Sequence, residues 1–297
     1  MPRAATNGIE LEYDSFGRPS DRPLVLVMGL GAQMILWDED FCGMLAERRF
    51  HVVRFDNRDV GLSTKLDDAG VPNVFAAFAA AAQRQPIGAP YLLSDMADDT
   101  VGLLDAIGLE SAHVVGASMG GMISQTLAIR HPHRMRSLTS IMSSTGNPTL
   151  PGPTPEAMSA LTTPAPMERA AAVEHAVKVW STIGGGAFGI DEDYVRARAA
   201  RQFDRGVHPA GMARQLVAIL ASGDRRPALS DVRVPTLVVH GDADPLVPIA
   251  GGRDTAEAIP GAELLVIEGM AHDLPKATWP TIVDAIAKHA ERAEGAR

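Results

Sequence analysis

The sequence predicts an α/β protein with a mostly parallel sheet, helices on both of its faces and an inserted helical lid. Short, continuous apolar stretches such as 24–28 are typical of strands that are buried on both sides of a sheet. Patterns with helical spacing, such as 93–107, alternate with these stretches along the chain. Between 145 and 228 only helical patterns occur. This order favours parallel strands joined by crossover helices, with one helical insertion before the last strands.

The length and composition suit one large core with an inserted subdomain. The chain has 297 residues, of which 46% are hydrophobic, and its formal net charge is −9. No run of basic residues offers an electrostatic surface to nucleic acid, so we expect no nucleic-acid partner. The acidic balance favours solubility and does not define the substrate.

Cysteine content and targeting signals narrow the class of protein further. Cys42 is the only cysteine, which excludes an intramolecular disulfide and a cysteine zinc cluster. The first residues lack the apolar core of a signal peptide. The longest apolar run, 24–36, is interrupted by glycines and is too short for a membrane span. The sequence therefore predicts a soluble cytoplasmic protein, and it does not indicate the oligomeric state.

The N-terminal elements are predicted to be a hairpin followed by two buried strands. Asn7 and Gly8 are typical of a tight turn between short extended stretches, so we expect a hairpin at a sheet edge. A strand at 24–28 ends in a glycine-containing loop, and a short amphipathic helix follows around 41–45. The next strand covers 51–55.

Two helical patterns precede the middle of the sheet. The stretch 74–82 is apolar on nearly all sides. We expect an ordinary packed helix there, and the alternative is a helix that lines an apolar substrate pocket. A clear helix at 93–107 leads into the next strand, and a further strand is predicted at 137–142.

The stretch from 145 to 228 is predicted to be a lid over one edge of the sheet. Prolines cluster early in it, and the glycines 184–186 interrupt it. No strand precedes these glycines, so they do not predict a phosphate-binding loop. The predicted domains are a core of 1–144 and 229–297 and a helical cap of 145–228. Helical patterns in the cap cover 170–180, 191–203 and 211–221.

The stretch 113–121 predicts a nucleophile. It combines a short apolar strand, the pattern Gly-x-Ser-x-Gly centred on Ser118, and the start of a helix. So tight a turn strains the backbone of the turn residue and lifts its side chain clear of both elements. The small neighbours of Ser118 leave room for strand and helix to pass closely. The helix N-terminus behind it favours developing negative charge.

Two later strand ends offer the partners that a serine nucleophile needs. A serine hydroxyl is weak at neutral pH and requires a base, which in turn requires an orienting acid. A predicted strand at 235–240 is followed by Asp242 and Asp244, and a strand at 263–267 is followed by His272. Only one of the two aspartates is expected to face the histidine. A final helix completes the chain.

Together these motifs resemble those of the α/β-hydrolase family, and they span nearly the whole chain. The segment 116–120 resembles the nucleophile elbow, 240–245 resembles the acid loop, and 269–272 resembles the loop of the catalytic histidine. In that acid loop the aspartate before the proline is usually the triad acid. The resemblance therefore selects Asp244 as the partner of His272.

The same resemblance implies an oxyanion hole made of two backbone N–H groups, those of Met119 and Leu30. Many family members carry His-Gly just before the second donor, whereas this chain has Met28 and Gly29. The backbone donor survives this departure, but any packing that depends on the histidine is lost. Within the family the chain looks most similar to aclacinomycin methylesterase-like and related actinobacterial hydrolases, on the segments 27–29, 54–63 and 269–275.

Other polar residues have structural interpretations. His240 is expected to pack a loop, and His113 begins its strand, at the end opposite the chemistry. Asp56 and Arg58 resemble a motif that stabilises the loop after their strand. Asp273 directly follows the predicted base and is not expected to pair with the same ring. Cys42 is expected in the core.

The sequence thus predicts a serine hydrolase that cleaves a carboxylic ester through an acyl-enzyme, with no metal and no organic cofactor. The partner is a small-molecule ester, and an apolar or bulky one is favoured by the predicted pocket lining. Alternatives with the same triad are a lactonase, a thioesterase, a carbon–carbon bond hydrolase, an acyltransferase or a cofactor-free perhydrolase. A further alternative is a ligand-binding protein without turnover. The predicted lining residues are Phe75, Phe78, Met158, Leu161, Met167, Trp180, Phe188, Met212 and Leu216.

Overall fold

The computed structural model describes residues 2–295, and one sheet of eight strands crosses this part of the chain. The strands cover Arg3–Thr6 (β1), Ile9–Phe16 (β2), Arg22–Val27 (β3), Phe50–Phe55 (β4), Ala112–Ala117 (β5), Met135–Ile141 (β6), Thr236–Gly241 (β7) and Glu263–Ile267 (β8). Their order is β1-β2-β4-β3-β5-β6-β7-β8. The pairs β1–β2 and β2–β4 are antiparallel and the remaining pairs are parallel. The predicted mostly parallel sheet is confirmed.

The hairpin at the edge of the sheet forms around the predicted turn. Thr6 pairs with Ile9 across it, and Asn7 and Gly8 have φ values of 46° and 78°. A two-residue turn of this hand needs positive φ at both positions, which asparagine and glycine tolerate best. The local sequence therefore determines the register of the first two strands.

Helices cover both faces of the sheet. They span Glu39–Glu47 (α1), Val74–Ala82 (α2), Leu93–Ala106 (α3), Met119–Arg130 (α4), Pro155–Thr162 (α5), Arg169–Ile183 (α6), Glu192–Arg205 (α7), Pro209–Ser222 (α8), Arg226–Leu229 (α9), Ile249–Ala258 (α10) and Trp279–Gly295 (α11). Among the described residues, none of these helices combines the length and the apolar character that a bilayer crossing requires.

Each face of the sheet has its own apolar core. In β3, Leu24 and Leu26 pack with α1 and α11, whereas Val25 and Val27 pack with α3 and α4. All four side chains are fully buried, as the two-residue period of a strand between two helical layers requires. Cys42 lies in the first of these cores, as predicted, and burial raises the pKa of its thiol to about 12.

The segment 145–228, here called the helical segment, contains α5 to α8, all of α9 but its last residue, and no strand in the described chain. The predicted patterns correspond to α6, α7 and α8. Helix α5 was not predicted because it lies in the proline cluster. It forms because Pro155 occupies the first turn, where the missing N–H has no helical partner anyway. Thr154 caps it by accepting the Ala157 N–H at 3.2 Å.

The expectation of an ordinary packed helix at 74–82 is wrong. The helix exists as α2, but Ala77 is its only buried residue within the described chain, and Phe75 is 79% exposed. The reason is that α2 packs against α8 and contributes to neither core of the sheet. Val74 and Phe75 instead line the main cavity, so the pocket alternative applies to the start of this helix.

A buried ion pair joins the helical segment to the loop after β4. Arg214 on α8 donates from Nε and Nη2 to the two carboxylate oxygens of Asp59, at 2.8 and 2.7 Å. The two side chains are 1% and 0% exposed. Burial raises the pKa of Asp59, but hydrogen bonds from Arg214, the Leu66 N–H and the Tyr91 hydroxyl outweigh this effect and lower the pKa overall.

We expect Arg214→Met to lower the free energy of unfolding by about 3–5 kcal/mol, because it leaves the Asp59 carboxylate buried without its cation. Urea unfolding followed by circular dichroism measures the change. Arg201→Met is the matched control. Arg201 also links the helical segment to the core, through Glu39, but both partners are about half exposed. Its removal should cost less than about 1 kcal/mol, and equal losses in the two variants would contradict the prediction.

Candidate active site

Ser118 lies in the sharp turn between β5 and α4. Its φ and ψ are 55° and −121°, a strained conformation for a residue with a side chain. Its small neighbours are required by close packing. A Cβ on Gly116 would lie 2.2 Å from the carbonyl oxygen of Gly120, and a Cβ on Gly120 would lie 2.0 Å from that of Val27. The turn therefore presents the Ser118 hydroxyl above the carboxyl edge of the sheet, as the sequence predicted.

The three residues that the sequence assigned to the reaction lie together. The Ser118 hydroxyl is 3.0 Å from Nε2 of His272, and Nδ1 of His272 is 2.7 Å from Oδ2 of Asp244. An ionised carboxylate only accepts hydrogen bonds, so Nδ1 of His272 carries a proton and Nε2 is left to accept one from Ser118. Asp244 follows β7 and His272 follows β8, so parallel strands bring all three to one edge.

Asp244 is held in a single orientation. Its Oδ1 accepts the backbone N–H groups of Leu246 and Val247 at 2.9 and 2.8 Å, which leaves Oδ2 for His272. Burial raises the pKa of Asp244. Its interactions with the His272 and His240 imidazoles and the hydrogen bond from the Val247 N–H outweigh burial and hold the pKa well below its usual range. The carboxylate is therefore ionised at neutral pH and suited to stabilise a charged imidazole.

His240 packs its loop and also lies close to the Asp244 carboxylate. It is fully buried, and its Nε2 donates to the Val247 carbonyl at 2.7 Å, as the loop-packing interpretation predicted. The same nitrogen is 3.6 Å from Oδ2 of Asp244. His240 thus packs directly behind the orienting carboxylate and fixes the loop that carries it.

The loop after β3 passes next to the serine. A Cβ on Gly29 would lie 3.1 Å from the Ser118 Cβ, so the backbone that leads into Leu30 borders the reacting oxygen. The Met119 N–H lies in the first turn of α4, where backbone N–H groups have no helical acceptor. Met119 thus follows Ser118 directly, and Leu30 follows a glycine that packs against Ser118, so the oxyanion role of their N–H groups stays a prediction.

The helical segment also supports this loop. Gln215 on α8 is fully buried; its Oε1 accepts the Gly31 N–H and its Nε2 donates to the Arg58 carbonyl, both at 2.8 Å. Sequence reasoning missed this residue because its partners lie far away in the chain. The available signal is a neutral polar residue within the apolar run of a helix.

The remaining candidates are held in other interactions. Asp242 accepts the Gly269 N–H at 2.6 Å, and Asp273 accepts the Gly185 N–H at 2.9 Å. His113 lies at the opposite edge of the sheet, 2.8 Å from the Ser137 hydroxyl. None of the three is hydrogen-bonded to Ser118 or His272 in the described chain.

Asp56 and Arg58 stabilise loops, in agreement with their predicted structural role. Asp56 accepts the Met34 and Leu62 N–H groups at 2.7 and 2.9 Å. It also pairs with Arg205 of α7 at 2.9 Å. Arg58 binds the buried Asp99 carboxylate through two hydrogen bonds of 2.6 Å. The stretch after β4 thus connects the sheet to α3 and to the helical segment.

A cavity of about 680 Å³ opens over Ser118 and His272. Five of the predicted lining residues border it, and Phe78, Met158, Met167 and Phe188 do not. Met167 and Phe188 are exposed, because helical spacing alone does not tell which face of a helix turns inward. The predicted residues that do line the cavity are Phe75, Leu161, Trp180, Met212 and Leu216.

Comparison with known protein families agrees with this geometry. Residues 22–275 match the family described as the alpha/beta hydrolase fold. The chain belongs to the α/β-hydrolase family. This α/β-hydrolase is 29% identical to rhodomycin D methylesterase DauP of Streptomyces sp. (strain C5), in an alignment that covers 96% of each chain. It is also 29% identical to rhodomycin D methylesterase DnrP of Streptomyces peucetius, in an alignment that covers 99% of each chain.

Solved structures share the fold of this α/β-hydrolase. The enol-lactonase from Burkholderia xenovorans LB400 superposes with a TM-score of 0.71 at 25% identity, over 99% of this chain and 100% of that one. A meta-cleavage product hydrolase from Pseudomonas fluorescens IP01 superposes with a TM-score of 0.77 at 16% identity, over 99% of this chain and 98% of that one. The resemblance read from the motifs is confirmed at the level of family and fold.

Proposed function

We propose that this α/β-hydrolase is a serine esterase that cleaves a carboxylic ester of an apolar or bulky small molecule. The observation that carries the proposal is the continuous hydrogen-bonded chain from Ser118 through His272 to Asp244, at 3.0 and 2.7 Å. A nucleophile, a base and an orienting acid in this order are the groups that acyl transfer requires. The similarity to two methylesterases over nearly the full chain supports the same reaction class.

In the proposed mechanism His272 removes the Ser118 proton while the oxygen attacks the ester carbonyl carbon. The backbone N–H groups of Met119 and Leu30 stabilise the negative oxygen of the tetrahedral intermediate. The alcohol then leaves with the proton from His272, and water, activated by the same imidazole, releases the acid from the acyl-enzyme. Asp244 keeps Nε2 of His272 free to accept and stabilises the imidazolium. Each step uses groups of the chain and water.

The helical segment is proposed to act as the lid that selects the substrate, with 1–144 and 229–297 as the core. Leu161, Trp180, Met212 and Leu216, all from this segment, border the cavity above Ser118. Such a lining favours an ester with substantial apolar surface, because binding removes that surface from water. The alcohol that leaves is proposed to be small, by analogy with the named methylesterases.

A lactone is the second candidate substrate class. The observation in its favour is the similarity to the enol-lactonase, at 25% identity over nearly the whole of both chains. A lactone is an internal ester, so the same serine, histidine and oxyanion donors serve its opening. The two candidates differ in whether the leaving alcohol departs or stays tethered to the acyl group.

Labelling and turnover test the proposal together. We expect a fluorophosphonate probe to modify Ser118, as located by peptide mass spectrometry, because only an activated serine attacks it rapidly. We also expect release of acid and alcohol from a panel of aryl-carboxylic methyl esters, measured against lactones and thioesters of similar size. Modification of another residue, or tight ligand binding without any turnover across the panel, would contradict the proposed function.

A further inference from the structure

One arginine in the wall of the cavity differs from the others in the helical segment. Arg198 on α7 borders the cavity, yet its Nε is buried and has no acceptor in the described chain. No carboxylate among residues 2–295 forms an ion pair with it. The other arginines of the segment donate to carboxylates or carbonyls: Arg169, Arg196, Arg201, Arg205, Arg214, Arg225 and Arg226.

Aromatic rings hold this guanidinium in place. Its Cζ lies 4.7 Å from the Trp180 ring centre and 5.3 Å from that of Tyr194. The Tyr194 hydroxyl donates to Asp38, which fixes the tyrosine. Nζ of Lys276 also lies against this ring, 4.4 Å from its centre. Stacking orients a guanidinium without using its N–H groups, which project within the ring plane. Arg198 is therefore held in place, while its Nε has no acceptor in the described chain.

The carboxylates that act on Arg198 from a distance do not form an ion pair with it. Asp38 accepts the Tyr194 hydroxyl and the Asp40 N–H. Asp273 accepts the Gly185 N–H through Oδ2, and its buried Oδ1 has no hydrogen-bond partner in the described chain. Burial lowers the pKa of Arg198, whereas Tyr194, Asp273 and Asp38 raise it. An arginine nonetheless remains charged at neutral pH. A partly buried cation that is not fully hydrogen-bonded costs free energy unless a ligand supplies a further acceptor.

We propose that Arg198 is a specificity-determining residue that binds an ionised oxygen on the acyl part of the substrate, away from the scissile ester. The preferred substrate is then an apolar ester that carries one anionic group, such as a carboxylate or a phenolate. The guanidinium donates to that oxygen in a cavity whose other walls are mainly apolar, where a charge-assisted hydrogen bond is strongest. This inference rests on the proposed esterase function and narrows its substrate class.

Matched ester pairs test the inference. The probes are aromatic methyl esters that carry a carboxylate, a phenol or a methyl group at the same ring position. We expect Arg198→Met to lower the ratio of kcat/KM for the carboxylate ester to that for the methyl-bearing ester by about 10- to 100-fold, as for loss of a hydrogen bond to a charged group. Arg198→Lys should keep part of this ratio because it keeps the charge. The phenol is mostly un-ionised at neutral pH, so we expect Arg198→Met to change kcat/KM for the phenol ester less than for the carboxylate ester.

Arg196→Met is the matched control, since Arg196 lies on the same helix but pairs with Glu174, Glu192 and Asp193 at the surface. It should leave the ratio unchanged. An unchanged ratio in Arg198→Met, or the same loss on both esters of a pair, would overturn the inference and leave Arg198 with a packing role only. The Arg198→Lys variant separates loss of charge from disturbed stacking on Trp180.

Binding without turnover separates this inference from the proposed function. The ligand is the acid that hydrolysis of the carboxylate-bearing methyl ester would release. Titration calorimetry should show that the double variant Ser118→Ala, Arg198→Met binds this acid about 10-fold or more weakly than Ser118→Ala alone. If the wild-type protein hydrolyses no ester but this binding difference is present, the esterase proposal fails and Arg198 remains an anion subsite. If hydrolysis occurs and the binding difference is absent, the inference fails and the esterase proposal stands.

Discussion

Replacing Ser118 by alanine should lower kcat/KM for a turned-over ester by about 10⁴- to 10⁶-fold, because it removes the proposed nucleophile and with it the covalent route. The proposed oxyanion donors remain, so a small residual rate above that of water is expected. Steady-state kinetics on the best methyl ester of the panel measures the loss. Fluorophosphonate modification of the chain should disappear in the same variant.

A second substitution at this position separates chemistry from folding. Ser118 has a φ of 55°, which glycine adopts without the steric cost that alanine retains. Ser118→Gly should therefore be as inactive as Ser118→Ala but more stable than it by about 1 kcal/mol in urea unfolding. Activity that survives in both variants would exclude Ser118 as the nucleophile. Equal loss of stability in both would argue against backbone strain at the turn.

Replacing Asp244 by asparagine is expected to lower kcat by about 10³- to 10⁴-fold with a small effect on KM. An asparagine amide can donate to Nδ1 of His272, which stabilises the tautomer whose Nε2 already carries a proton and accepts none from Ser118. The loss of the carboxylate also removes stabilisation of the imidazolium. Kinetics on the same methyl ester measures both parameters.

The matched control for this change lies two residues away. Asp242 accepts the Gly269 N–H at 2.6 Å and does not contact His272. An asparagine oxygen accepts the same hydrogen bond, so Asp242→Asn should retain kcat within about 3-fold, a difference of less than ~1 kcal/mol. A large loss in Asp242→Asn with little loss in Asp244→Asn would reverse the assignment of the acid.

The same carboxylate gives the protein a dependence of stability on pH. The pKa of Asp244 is lower in the folded chain than its ordinary value, so ionised Asp244 stabilises the fold at a pH above the unfolded pKa of about 4. This contribution is lost as the pH falls below that value toward the folded pKa. Between about pH 5 and 3 the wild-type protein should therefore lose stability more steeply than Asp244→Asn, as measured by urea unfolding at each pH.

Much of the core could be predicted because the relevant signals are local. The side chains of β3 and β5 are buried on both faces of the sheet, so these strands appear in the sequence as continuous apolar runs. The turn at Asn7 and Gly8 has a conformation that these residue types favour. The Ser118 turn is likewise specified by its small neighbours. In each case the residues that determine the conformation are adjacent in the chain.

The elements that sequence reasoning missed depend on distant packing. Helix α10 contains Gly251 and Gly252, which weaken its helical pattern. A Cβ on Gly252 would lie 2.5 Å from Nδ1 of His240, so the glycine is required by a histidine on another element. The exposure of α2 follows from its position against α8, which its own uniformly apolar sequence does not encode.

The sequence alone limits the choice of site residues but does not complete it. The order of the residues along the chain and their positions at strand ends limit the partners of Ser118 to a few candidates. Asp242 and Asp244 lie in the same loop, so these two criteria do not tell them apart. The resemblance to a family selected Asp244, and the hydrogen bonds of its Oδ1 to Leu246 and Val247 give the physical reason. Gln215 and Arg198 belong to helices whose contacts with the cavity cannot be read from spacing alone.

The contacts between the helical segment and the loops of the sheet limit which chimeras between related proteins can fold. Arg205, Arg214 and Gln215 enter the loops after β3 and β4 and bind Asp56, Asp59 and the Gly31 N–H there. The segment is therefore not a cassette that can be exchanged alone between relatives. A chimera that imports a foreign segment must import its matching loops, 29–33 and 56–63. Otherwise the buried carboxylates and the Gly31 N–H lose their hydrogen-bond partners.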